Sequence, residues 1–306
     1  MKTRPIHSRA EGPGAAQLGF SPRWRFPIKM VLGRTRSLVW LARTRGCPAG
    51  GGLRILFYHR VSDDHDELAV KPNFFRRQME QLASDGYRVV DIPDAVRILE
   101  SGSLPPRTVA LSFDDGYRDV VEHALPILAD YGFRATVFVV TAVADGRASF
   151  DWYSRQPPVL GWDEIAMLDS GGTLNFEAHS LTHPNLLRLS EEAARREIAE
   201  SRTELQERLG RAITVFSYPS GLFSARERRL TIEAGFTAAV SCEVGANVAT
   251  TDRFALRRIQ IDHRDRMIDF RAKLGGGYDS PLPLRNAYRR LRYGVSEARR
   301  SSDLDS

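Results

Sequence analysis

The chain has 306 residues, 42% of them hydrophobic and 27% charged, an ordinary globular composition that excludes a collagen, a membrane-helix bundle and disorder throughout. The net charge of +6 is unevenly placed: residues 1–50 hold ten Lys/Arg against one acid, residues 275–306 hold six Arg against four acids, and residues 51–274 hold 28 basic and 33 acidic residues. Basicity therefore belongs to the ends, and the mildly acidic middle speaks against nucleic acid as a partner, which needs basic residues clustered on a folded face.

Near the start, the stretch 30–42 mixes Val31, Leu38, Val39, Trp40 and Leu41 with Arg34 and Arg36. It is too short and too charged to cross a bilayer, and the arginines interrupt the apolar run that a secretory signal requires. It reads either as an interfacial amphipathic helix or as a disordered basic leader. The expected location is cytoplasmic, with peripheral contact at the inner face of the membrane through residues 1–50. Two cysteines, Cys47 and Cys242, supply no disulfide framework and suit a reducing compartment. The Cys-Pro-Ala-Gly-Gly-Gly run at 47–52 reads as a linker. The expected organisation is a basic leader at 1–52, one domain at 53–275 and a basic C-terminal extension at 276–306, with oligomeric state left open.

From residue 53 onward, apolar strand-like runs alternate with helical patterns. The first strand is expected at 53–58 (LRILFY), followed by a helix at 72–85 with Phe75, Met79 and Leu82 on one face. A short strand at 87–90, a helix at 92–100 and a strand at 108–113 (TVALSF) come next. A helix at 120–131 precedes a strand at 135–141. After a Trp/Tyr/Pro-rich loop come a helix at 163–168 and a strand at 174–178. Ser190 caps a long helix that Gly210 ends, with Glu191 and Glu192 in its first turn. A strand at 213–218, a helix at 225–234 and strands at 237–240 and 256–261 complete the series. Such alternation means a parallel sheet covered on both faces, and the number of units predicts a distorted (β/α)7-type barrel of the α/β class. Neither a Gly-x-Gly-x-x-Gly turn nor a phosphate-binding lysine loop is present, so a nucleotide cofactor is not expected.

In such a barrel, polar groups at the C-terminal strand ends face the mouth where active sites are built. Three strand ends carry them here: Ser112-Phe113-Asp114-Asp115-Gly116, His179-Ser180-Leu181-Thr182-His183-Pro184, and Phe216-Ser217-Tyr218-Pro219-Ser220-Gly221. One carboxylate and two imidazoles can form a three-ligand site for a divalent ion. Adjacent aspartates make sense if a cation neutralises one and leaves the other free to take a proton. Taken singly, each motif also suits a turn or a pair of packing histidines; their conjunction at three strand ends points to a site.

At these residues the chain resembles the polysaccharide deacetylases of carbohydrate esterase family four, over about 53–275, and within them the exopolysaccharide-type subgroup. The resemblance implies that Asp114 is the general base and that Asp115, His179 and His183 hold a divalent metal, zinc first, with cobalt, nickel or manganese as alternatives. It implies hydrolysis of an N-acetylated sugar in a polysaccharide, oligosaccharide or glycolipid, with the backbone N–H of Ser220 at the oxyanion beside Tyr218. Ser217 stands where the family has an arginine, and Arg258 is expected to replace it in orienting Asp114. His59, from Tyr58-His59-Arg60-Val61, and more weakly His263, from Ile261-Asp262-His263, are the candidates to protonate the leaving amine. Trp152 and Trp162 are expected to stack on sugar rings. O-deacetylation, cleavage of another amide on the same fold, and a non-catalytic glycan-binding role are the rival readings.

Overall fold

A computed structural model describes residues 51–279 together with Thr35 and residues 37–39. Strand β1 (Arg54–Tyr58) is buried along its whole length, as are β5 (Thr108–Phe113) and β6 (Ala135–Val139). A strand buried on both faces is what an uninterrupted apolar run permits and an alternating one does not. With β7 (Leu174–Ala178), β8 (Val215–Ser217), β9 (Ala238–Val240) and β10 (Ile259–Gln260) these form a parallel sheet in the order β10-β1-β5-β6-β7-β8-β9. β4 (Arg88–Val90) pairs with the first half of β5, and β6 with the second half. Leu256 makes a parallel bridge to Val240 of β9, and Ile259 pairs with Leu56 of β1. Segment 256–260 thereby joins the two ends of the sheet, curling it into the expected distorted barrel.

The covering helices begin and end where their local chemistry dictates. Proline supplies the first-turn φ of α1 (Pro72–Ser84), and Asp91 caps α2 (Ile92–Glu100) by accepting from the Asp94 N–H. The 120–131 helix is divided: Val120–Ala124 is a π turn, closed by Leu125 N–H to Val120 O, and α3 (Leu125–Asp130) follows. Pro126 is the physical reason, since it cannot donate into the ladder at the junction. Residue 141 does not extend β6 but opens the short α4 (Thr141–Ala144), followed by α5 (Trp162–Asp169). Ser190 caps α6 (Glu191–Leu209), and Gly210 ends it at φ 64°, a left-handed value that glycine reaches without strain. The Ser224–Glu227 capping box opens α7 (Ala225–Glu233), and α8 (Met267–Leu274) closes the series.

Two features of the fold do not announce themselves as patterns in the sequence. β2 (Arg60–Val61) and β3 (Ala69–Val70) form a small parallel ladder at the rim. The ends of the domain are also pinned. Arg54 makes a bidentate pair with Asp279, and the buried Ser37 hydroxyl donates to Asp269 at 2.6 Å. Apart from Thr35 and residues 37–39, 51–52 and 276–279, the leader and the C-terminal extension lie outside the described residues. Among the described residues no helix is long and apolar enough to cross a membrane.

Candidate active site

The chain turns sharply after β5. Asp115 has φ 74° and Gly116 φ 70°, so both aspartates are carried onto the rim rather than to opposite sides of a continuing strand. Five non-glycine residues among those described have positive φ, and Asp115, Ser180, His183 and Ser220 are four of them. Aspartate and histidine enter this region more readily than branched residues, and its cost of about 1–3 kcal/mol is characteristic of functional sites.

Asp115 Oδ1 faces two imidazoles, 3.6 Å from His179 Nε2 and 3.7 Å from His183 Nε2. It is buried and has no hydrogen-bond partner. His179 Nδ1 lies 2.8 Å from Ser217 O, a carbonyl that can only accept, so Nδ1 carries the proton and Nε2 presents its lone pair toward Asp115. Burial lowers the pKa of His179 to about 4 and drives that of His183 well below its ordinary value, aided there by His179. Two neutral imidazoles and an orphaned carboxylate oxygen, with ligating atoms all within 4.8 Å of one another, fit a metal ion. Burial and the Asp114 charge push Asp115 well above the usual carboxylate range, a cost that a cation would offset.

The loop bearing these histidines is held from α6. Buried Glu197 accepts from Leu181 N–H (3.1 Å), Thr182 N–H (2.9 Å) and Thr182 Oγ1 (2.7 Å), and His183 N–H donates to Ser180 Oγ (2.9 Å). Sequence reasoning missed Glu197. Its signal was a charged residue on the buried stripe Ala194, Ile198, Ser201 and Leu205 of α6.

Asp114, on the same turn, is gripped by Arg258. Nη1 donates to Oδ1 at 2.6 Å and Nη2 to Oδ2 at 2.9 Å. Arg258 is fully buried, donates also to Ser241 O and Ser217 Oγ, and lies 4.3 Å from the Phe57 ring centroid. Burial by itself would raise the Asp114 pKa, but the Arg258 charge, with His179 and the Arg258 hydrogen bonds, brings it down to about 2. Asp114 N–H donates to Tyr58 O, which sets the following residue, His59, beside the pair. Burial lowers the His59 pKa, while the Asp114 charge works against it.

The remaining sequence expectations divide. Trp152 reaches the site, its ring against His183 at 5.0 Å and stacked on Phe150 at 4.4 Å. Ser220 follows Pro219 in a tight turn at the end of β8. Three residues go elsewhere. Tyr218 points into the core, stacked on Phe223 at 4.6 Å with its hydroxyl on Phe254 O, because the residue before the proline still follows strand alternation. Trp162 packs on the core beneath the Arg208 guanidinium. His263 lies past β10, its Nδ1 donating to Glu67 O, on an open crevice of about 510 Å³ that it shares with Asp64, Asp66 and Asp265.

The turn at Gly221 supports a first prediction. Its φ is +64°, and an added Cβ would meet Cys242 N at 2.3 Å, next to Arg258. Gly221→Ala should therefore destabilise the domain by roughly 3 kcal/mol, combining left-handed strain with overpacking. The check is a melting temperature lower by about 10 °C.

A parallel barrel that gathers ionisable side chains at the C-terminal rim of its strands has the architecture of a barrel enzyme. Residues 101–239 match the family described as polysaccharide deacetylase. The chain is 26% identical over 210 residues to YxkH of Bacillus subtilis (strain 168), a protein assigned to the polysaccharide deacetylases, covering 68% of this chain and 71% of that one. It is 22% identical to the poly-beta-1,6-N-acetyl-D-glucosamine N-deacetylase of Staphylococcus aureus (strain MRSA252), over 67% of this chain and 72% of that one. In fold it is similar to IcaB of Ammonifex degensii, with a TM-score of 0.64, 22% identity and coverage of 74% of this chain and 98% of that one. Over residues 101–239 the chain thus matches the polysaccharide deacetylase family, and these relatives and this solved structure resemble it over roughly two thirds to three quarters of its length. The matched span contains Asp114, Asp115, His179 and His183 but neither His59 nor Arg258.

Proposed function

We propose that the protein removes acetyl groups from N-acetylglucosamine units of a polysaccharide, with a divalent ion, zinc first, held by Asp115, His179 and His183. The observation that carries this reading is the orphaned Asp115 Oδ1, set between two neutral imidazoles and next to a second aspartate that a buried arginine keeps charged. When bound, the ion would polarise the acetamide carbonyl and acidify water.

The protein's own groups account for the proton movements. Asp114 stays ionised because Arg258 holds it so, and each of its oxygens keeps a second lone-pair direction for the proton of an attacking water. A base with a pKa of about 2 has little driving force but is always available, and as the proton arrives Arg258 orients the group that receives it. The Ser220 backbone N–H is the proposed donor to the tetrahedral oxyanion. His59 would relay to the leaving amine the proton that Asp114 takes from water, since its lowered pKa leaves the imidazole neutral until it receives one. Trp152 offers a ring at the edge of the site on which a sugar can stack.

The test is metal analysis combined with acetate release. Purified protein should hold about one divalent ion per chain. It should release acetate from β-1,6-linked N-acetylglucosamine oligomers. The His179→Ala/His183→Ala variant should lose the ion and the activity together. Retention of stoichiometric metal in that variant would dismiss the assigned ligands. Acetate released from O-acetyl esters but not from acetamides would move the protein to the O-deacetylase reading.

A further inference from the structure

Two buried polar groups beside this cluster have no part in the mechanism above. The Tyr117 hydroxyl and the Trp152 indole N–H are buried without a hydrogen-bond partner, as is Asp115 Oδ1. They are neighbours: the Tyr117 hydroxyl lies next to the Asp115 carboxyl, and the Trp152 N–H approaches the same hydroxyl without completing a hydrogen bond. A buried hydroxyl or N–H left unpaired costs about 1–3 kcal/mol, so orphaned groups within reach of one another are poised to pair after a small shift.

The surrounding rings limit what that shift can be. Arg60 lies over the Tyr117 ring at 5.5 Å, and Phe150 packs on Tyr117 at 5.5 Å and on Trp152 at 4.4 Å. Trp152 in turn sets its ring against His183. The Tyr117 proton has two acceptors close by, the Asp115 carboxyl and the Tyr153 oxygen. Tyr153 sends its own proton to Asp66, a carboxylate that Arg60 also grips at 2.7 Å. Once a bound cation keeps Asp115 ionised, its carboxylate wins over the neutral phenol oxygen, because a charge-assisted hydrogen bond is roughly twice as strong as a neutral one.

We propose that Tyr117 is a positioning residue for the metal centre: its hydroxyl donates to the Asp115 carboxylate and accepts the Trp152 N–H, holding Asp115 aimed at the two imidazoles. The aromatic strap 150–153 then touches both arms of the ligand set, His183 through the Trp152 ring and Asp115 through Tyr117. This rests on the reading of Asp115, His179 and His183 as ligands. Partners of ligating groups tune metal affinity, and their loss typically weakens it by about 10–100-fold.

Tyr117→Phe deletes only the hydroxyl and keeps the ring contacts. The experiment measures the zinc dissociation constant of wild type, Tyr117→Phe and Trp152→Phe by competition with a chromophoric chelator, alongside the melting temperature of each metal-free protein. The expected result is zinc binding weakened by about 10–100-fold in Tyr117→Phe, and less in Trp152→Phe, with the metal-free melting temperature of Tyr117→Phe equal to or above that of wild type. Unchanged zinc affinity in Tyr117→Phe overturns the positioning role. Wild type that takes up no stoichiometric zinc overturns the ligand assignment itself, a separate outcome.

Discussion

Asp114→Asn is expected to keep its divalent ion and lose turnover by about 10²–10⁴-fold, the range for removal of a general base. Asparagine preserves the shape of the side chain and one oxygen that can still accept from Arg258, but an amide has no useful basicity. The cluster of Asp115, His179 and His183 is untouched by the change, so metal content should stay at the wild-type level. Asp115→Asn makes the contrast: it should lower metal affinity and rate together. Because Asp114→Asn also leaves the buried Arg258 charge without its carboxylate, turnover must be expressed per folded molecule. Near-wild-type turnover would end the assignment of Asp114 as base even with fold and metal site intact.

Arg258→Met should cost about 3–5 kcal/mol of stability at neutral pH, the usual penalty for removing one partner of a buried ion pair. Methionine fills much of the same volume and keeps an apolar contact with Phe57 and Phe138, so the loss comes from the buried Asp114 charge left without its partner rather than from a cavity. The sign with pH follows from the Asp114 pKa of about 2, which lies below its unfolded value. In the wild type the pair contributes stability that is present above about pH 4 and is lost as pH falls toward 2. Without Arg258, burial is no longer opposed by that charge and the Asp114 pKa rises, so stability should instead fall as pH increases from acid toward neutral. Turnover in the variant should acquire an acid limb at higher pH, because the base is now protonated over part of the working range. Denaturation midpoints and kcat/KM measured from pH 4 to 8 check both; parallel wild-type and variant curves would refute the role given to Arg258.

The barrel was legible because a parallel strand buried on both faces needs a continuous apolar run, and LRILFY, TVALSF and ATVFVV are such runs. The cluster of Asp115, His179 and His183 was legible for a local reason as well. His179 and His183 are four residues apart in one turn, and Asp115 sits where a strand stops, so each motif carries its own geometry. Where direction depended on packing, expectation and structure part company. Tyr218 adjoins a site turn yet stacks on Phe223, and Trp162 belongs to an aromatic-rich stretch yet lies under Arg208. Ring size and position along the chain say nothing about which way a side chain leaves the backbone.

Arg258 shows the division most clearly. Sequence alone made it one of 44 basic residues, singled out because Ser217 stands where the family pattern has arginine. Its burial follows from segment 256–260 passing from β9 to β1, which turns the residue between them into the barrel, across from Asp114. The same holds for Glu197, which looks like a surface helix charge until α6 packs against the histidine loop. Composition, periodicity and strand-end motifs determined the α/β class, the strand and helix series and the four residues at the centre of the site. Tertiary structure decided which distant charges serve them, because a buried ion pair is made by the closure of the sheet, between residues 144 positions apart that no local pattern connects.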